Sequence, residues 1–372
     1  MENTLNATCT KPNNRIPYLD LLKFIAMTFI CFGHVLQRYY VVGFTQTIGF
    51  AILYSVELGI FFFVGGYLAK KPKKLKILLL YILKMFITYL IPAFLFTCLS
   101  IWFLPRFEGN NFAYWMNQLF YYTDTFYWYF LVAFLLNVGI AASYYFSQLI
   151  FKKEGLKYDI MRSVIILVLM GLYSLIFIYI YNSPTLGPKC LSSDLTLYYI
   201  SIVFIGSMFS TFHKYFENIK SRHLIRGAIF LVCLAGYITS LYYFSNWFTV
   251  LDTPFKDIST HMLGSLAGTI CYVYLAFYLS KLTFVSKVSV LGKYSGPFYL
   301  VHVFFIRLLY SFSSRPIDMV PSAILYVMIF MIIFYFGSLV VTIILVKIPY
   351  TDIILFMNYK RFKQALFIKE KS

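Results

Sequence analysis

The chain has 372 residues, 60% of them hydrophobic and only 12% charged, with a mean hydropathy of +0.75. A water-soluble fold of this length needs far less apolar surface, so a soluble globular protein is excluded. The formal net charge of +18 would suit nucleic acid, but in a chain this apolar it reads as basic cytoplasmic loops, with membrane lipid as the surrounding partner and no nucleic acid.

Ten apolar runs are long enough to cross a bilayer. In chain order they lie at 18–38, 48–69, 77–104, 126–148, 161–181, 195–213, 224–244, 261–279, 295–312 and 322–346. Lipid admits only helices or closed barrels, and these runs lack the alternation of a barrel strand. The expectation is an all-α integral membrane protein, a bundle of about ten transmembrane helices. The first run follows a polar start, 1–17, without a persuasive small-residue cleavage site, and reads as a retained span.

The loops alternate in basic charge. One set holds "KKPKKLK" (Lys70 to Lys76), "KKEGLK" (Lys152 to Lys157), the stretch from His213 to Arg226, Lys281, Lys287, Lys293 and the tail "YKRFKQALFIKEKS". The other holds Arg38, Arg106, Lys189, Lys256 and Arg315. The positive-inside rule puts the first set in the cytoplasm, and an even number of spans then returns both termini to that side. The polar loops near 105–125, 182–194 and 245–260 are too short to bury a core of their own. Residues 1–372 thus read as a single transmembrane domain with a short cytoplasmic segment, 1–17, and a basic cytoplasmic tail, 347–372. The six cysteines show no metal-binding spacing and no disulfide framework, and no metal is expected.

"YLDLLKFIAMTFICFGHVLQRYY" (Tyr18 to Tyr40) carries Asp20, Lys23 and His34 within an apolar helix. Eleven helical steps return to within about 20° and rise about 16.5 Å, so Lys23 and His34 share one stripe. Lys23 reads as snorkelling at the cytoplasmic end or as guarding a polar path, and Asp20 as a helix-start residue favoured by the dipole. His34 is either a buried imidazole satisfied by a carbonyl or a functional group inside the membrane. Glu57 interrupts the second run in the outer half, where it either orients His34 or is protonated and bonded to a neighbour. His302 lies in the ninth run, closer to the cytoplasmic side, behind Gly296 and Pro297. Lys84 reads as snorkelling and Trp128 as an interfacial or packing aromatic.

Four stretches, in this order, resemble the membrane acyltransferase 3 family. "LDLLKFIAMTFICFGH" is similar to its opening helix, Leu-Asp-x-Leu-Arg/Lys with a His eleven residues after the basic one, which maps to Asp20, Lys23 and His34. "FFFVGGYLAKK" (Phe61 to Lys71, with Tyr67) resembles its Phe-Phe-x-x-Ser-Gly-Tyr/Phe-Leu run. "FYWYFLVAFLL" (Phe126 to Leu136, with Trp128) resembles its Trp-Tyr/Phe-Leu span. "GKYSGPFYLVHVFFI" (Gly292 to Ile306) resembles its Ser-x-x-x-Tyr-Leu-x-His segment. Gly65 stands where the family usually has Ser. Lys23 replaces the commoner Arg, so a point charge replaces a bidentate fork.

The resemblance implies a multi-pass O-acyltransferase of the cell membrane, with no permanently bound cofactor. Its donor would be acetyl-CoA or another acyl-CoA. Its acceptor would be a hydroxyl on a surface polysaccharide or lipid-linked sugar, alongside polysaccharide-synthesis machinery. His34 would be the central catalytic residue, as base or acyl carrier, with Glu57 beside it. Lys23, Lys70, Lys71, Lys73, Lys74 and His302 would hold the donor, with Asp20, Tyr67 and Trp128 in support. A rival reading is a transporter or flippase for a polysaccharide intermediate, with His34, Glu57 and His302 in a proton-linked path. No pair of broken helices in matching halves supports it.

Overall fold

The computed structural model describes residues 15–39, 48–103, 128–187, 189–243, 255–312, 321–348 and 350–357. Most of the expected segments 1–17 and 347–372 lies outside these residues, as do Cys9, Arg106 and Arg315. The helices are α1 (Pro17–Tyr39), α2 (Ile48–Leu68), α3 (Leu75–Met85), α4 (Ile91–Phe103), α5 (Trp128–Ile150), α6 (Leu156–Asn182) and α7 (Ser193–Phe216). They continue as α8 (Arg222–Tyr243), α9 (Phe255–Leu279), α10 (Thr283–Ser289), α11 (Ser295–Phe312), α12 (Pro321–Lys347) and the single turn α13 (Thr351–Ile354).

The fold is all-helical among the described residues, and nine helical spans there are long and apolar enough to cross a membrane. The chain is a multi-pass membrane protein. α3 and α4 make one of these spans, joined by a π-turn over Phe86–Leu90. Pro92 explains the widened turn, because its ring crowds the carbonyl one turn back and it lacks an N–H. The run at 295–312, expected as a tenth span, is helical over its whole length as α11.

α2 and α5 are mostly buried, whereas α6 and α8 present most of their surface outward. The inner helices therefore carry the site and the outer ones face lipid. α2 packs on α7 by glycine. A Cβ on Gly66 would stand 2.0 Å from the Val203 carbonyl oxygen, and one on Gly206 would stand 2.2 Å from that of Phe63. Two backbones approach this closely only where neither has a side chain, the small-residue packing common in membranes.

Lysines gather at one end of the bundle, the basic end. There Lys73 pairs with Glu154 at 2.8 Å and Lys214 with Asp159 at 3.1 Å. Arg162 also bonds Asp159, whose other oxygen accepts the Tyr215 hydroxyl at 2.6 Å. Arg226 and Arg222 clamp Glu217. Burial works against the Glu217 carboxylate, but the Arg226 guanidinium and its neighbours hold its pKa below the ordinary value.

Loop charge gives these ends opposite sides of the membrane. Cys190, expected in an outer loop, is buried in a 3₁₀ turn and is a poor reporter. Thr185 and Lys153 are exposed at opposite ends of α6. In intact cells an impermeant thiol reagent should label Thr185→Cys, and it should reach Lys153→Cys only after permeabilisation. The reverse pattern would invert the topology.

Candidate active site

A cavity of about 330 Å³ opens among α1, α2, α3, α5 and α11. Its basic end carries Lys23 from α1, Lys84 from α3 and Lys70 just beyond α2. Asn137 and Ser295 add polar groups to the wall. Asn137 donates from Nδ2 to the Ala133 carbonyl at 2.7 Å, which fixes the amide against its own helix. Aromatic rings form the other end, among them Phe61, Phe62, Tyr129, Phe130 and Tyr299.

Lys23 does not stand alone. Its ammonium donates to Asp20 Oδ1 at 3.0 Å, while Arg15 donates through Nε and Nη2 to Asp20 Oδ2 at 3.1 and 2.8 Å. One carboxylate thus holds two cations and leaves one net positive charge at the cavity mouth. Asp20 is itself pinned, since a Cβ on Gly292 would stand 1.9 Å from its carbonyl oxygen.

Behind the rings lies a histidine pair. The His34 and His302 rings stack at 5.7 Å, tilted by 29°. Gly292, just ahead of α11, packs on the Asp20 backbone near the start of α1, and from that contact the two helices run far enough side by side for the two rings to meet. His302 shares Nδ1–H with the Phe298 carbonyl at 3.0 Å, and its ring lies on Phe298 at 5.2 Å and meets Tyr299 edge-on at 5.2 Å. That bond puts the proton on Nδ1 and leaves Nε2 as an acceptor, with no hydrogen-bond partner among the described residues.

Glu57 arrives from α2, buried, beside the residue preceding His34. A Cβ on Gly33 would lie 3.2 Å from Glu57 Oε2. The carboxyl group is therefore one residue from the imidazole along α1, and that oxygen has no hydrogen-bond partner among the described residues.

The acyltransferase domain family matches residues 16–347. The chain belongs to the acyltransferase 3 family. Comparison with curated proteins and with solved structures finds no match. Membership implies acyltransferase activity, and with it an acyl donor and an acceptor.

Among the residues singled out by sequence, the cavity brings together Lys23 and Lys70, and the ring layer brings together His34 and His302. The rest of the lysine loop points elsewhere. Lys71 donates to Thr211 Oγ1 at 2.9 Å with its ammonium 5.3 Å from the Tyr144 ring centre, and burial of that ammonium lowers its pKa. Lys73 is taken by Glu154, and Lys74 supplies the extended residue before α3. Tyr67 packs edge-on against Tyr18 at 6.1 Å, and Trp128 stacks on Tyr199 at 6.3 Å. Neither lines the cavity.

Lys84, read from sequence as snorkelling, stands on the cavity wall instead. Asn137, Tyr129, Tyr299 and Arg15 were missed. A polar Asn inside "FLLNVGIAAS" was the available signal for Asn137; the tyrosines are lost among 34 in the chain. Gly65 is explained by space rather than strain. A Cβ there would meet Asn137 at 3.5 and 3.8 Å, ordinary contact. Gly65→Ser should therefore fold normally, with a thermal unfolding midpoint within about 2 °C of wild type, since a change below ~0.5 kcal/mol moves a chain this size little. A larger drop would mean the wall is tighter than described.

Proposed function

We propose that this protein is an O-acyltransferase of the cell membrane. It would move an acyl group, acetyl by our reading, from cytoplasmic acyl-CoA to a hydroxyl of a surface polysaccharide or lipid-linked sugar. The observation that carries this reading is the order of chemistry along one line: three lysines, an apolar cavity, an aromatic layer, then two imidazoles. An acyl-CoA has the matching order, with phosphates at one end and a thioester at the other. Pockets for drug-sized ligands run from about 300 to 1,000 Å³. This cavity sits at the low end, so the thiol arm would enter while the nucleotide stays at the mouth near Lys23, Lys70 and Lys84. Lys71, Lys73 and Lys74 would add to the positive field there.

His34 would be the reacting group, with the Glu57 carboxyl beside it to orient the imidazole. As base, the imidazole takes the proton of the acceptor hydroxyl; as carrier, it holds the acyl group between donor and acceptor. Either way the thioester C–S bond breaks, an ester C–O bond forms, and the hydroxyl proton ends on the coenzyme A thiol. His302 would help seat the donor's acyl end. Asp20 would hold Lys23 until phosphate competes for it.

The lysines offer a direct test. Lys23→Gln, Lys70→Gln and Lys84→Gln combined should weaken coenzyme A binding to the full chain in lipid nanodiscs about tenfold or more, equivalent to ~1.4 kcal/mol. Wild-type affinity should also fall with salt, because exposed charges are screened beyond about 8–10 Å at physiological ionic strength. Unchanged affinity in a correctly folded triple variant would remove the donor from this cavity.

A further inference from the structure

We propose that Tyr129 and Tyr299 are the specificity-determining residues for acyl chain length, a pair of rings that the acyl group must part to reach the histidines. The inference rests on the donor reading above and adds to it the class of donor admitted, short-chain acyl thioesters.

The two rings are in contact, with centres 5.0 Å apart and planes tilted by 36°. Each is braced from behind. Tyr129 meets Phe61 at 5.8 Å and Phe62 at 5.2 Å, and Tyr299 meets Phe130 edge-on at 5.3 Å. Separations of 4.5–7 Å are those of touching aromatic pairs, so the layer is closed. Tyr299 belongs to both compartments, for it lines the cavity and touches the His302 ring at 5.2 Å. The next ring beyond is His34.

A thioester carbon must come within about 3–3.5 Å of the group that reacts with it. A donor lying in the cavity satisfies that only if its acyl end passes between Tyr129 and Tyr299. Tyr129 is the ring with room to move, since it is half-buried and faces the cavity, whereas Tyr299 is buried. A two-carbon acyl group needs the smallest displacement. Each further methylene must find space among braced rings, and a single methylene in a shaped pocket is worth about 10–200-fold in discrimination. The ring of Tyr129 thus sets how much chain is admitted, while the lysines, a full cavity length away, hold the constant part of the donor. Charge and chain length are read by different residues.

The test uses the full chain in nanodiscs and four ligands: coenzyme A, acetyl-CoA, butyryl-CoA and hexanoyl-CoA. Wild type should bind the first two with similar affinity and hexanoyl-CoA at least about tenfold more weakly. Tyr129→Ala should bring hexanoyl-CoA to within about threefold of acetyl-CoA, each affinity taken relative to that variant's own affinity for coenzyme A. Tyr129→Phe keeps the ring and should keep the wild-type profile, which separates a steric filter from the phenolic hydroxyl. If Tyr129→Ala does not fold, Tyr299→Leu removes the opposite ring and should shift the profile in the same direction. A variant that binds coenzyme A normally with an unmoved chain-length profile overturns the filter alone. A wild-type protein that binds no coenzyme A overturns the donor reading and the filter with it.

Discussion

His34→Ala is expected to lower acyl transfer by at least about 10²-fold while coenzyme A affinity and unfolding temperature stay near wild type. General acid–base catalysis contributes about 10²–10⁴ in rate, so loss of the imidazole should fall in or beyond that range. The split between rate and binding follows from position. The lysines that would hold the donor lie across the aromatic layer from His34. His34 is only partly buried, and its stacking partner His302 keeps its contacts to Phe298 and Tyr299 when the ring is removed, so the loss opens space without emptying the core. Turnover measured with labelled acetyl-CoA checks it. If His34→Ala kept more than about a tenth of wild-type rate, and His302→Ala lost more than about 10²-fold, the reacting imidazole would be His302.

The second large effect concerns folding. Gly66→Ala should prevent a stable α2–α7 pair. The added methyl would sit 2.0 Å from the Val203 carbonyl oxygen and 2.8 Å from its carbon, and no side chain stands there to turn aside. The helices would have to separate along a buried face that holds Phe62, Phe63, Ile202 and Val203. Overpacking a core commonly costs about 1–3 kcal/mol, and a backbone-to-backbone clash belongs at or above the top of that range. Set against a typical stability of about 5–15 kcal/mol, this should appear as a sharp drop in folded yield and unfolding temperature in detergent. Gly65→Ser, one residue away, should show neither. Equal behaviour of the two variants would mean that α2 and α7 do not meet as described.

The bundle was legible because lipid imposes a single rule, that every backbone polar group be paired inside the segment, and long apolar runs are its signature. Composition and length fixed the all-helical class and the long apolar helices. α11 packs against α1 and α12, and a helix held between neighbours can carry a buried His302 where a lipid-facing one cannot. Lys23 and His34 were legible through helical periodicity, which relates residues within one element. What periodicity cannot give is the offset between elements. The meeting of His34 with His302 is such an offset and leaves no apolar pattern. Sequence gave Lys84 to the interface and the whole lysine loop to the donor for the same reason. Which cation faces inward is decided by Thr211 and Glu154, far away in the chain, and by Asp20, one turn from Lys23.

One measurement bears most directly on the central claim, that this bundle transfers an acyl group and does not merely move a sugar. Purified protein in proteoliposomes is given acetyl-CoA on the side of the basic end, together with glycan extracted from the producing cells, and free thiol is followed with time. The account predicts thiol release that depends on the glycan, a matching gain of O-acetyl ester on it, and neither with His34→Ala. Passage of glycan across the bilayer without thiol release, equal in wild type and His34→Ala, would contradict it.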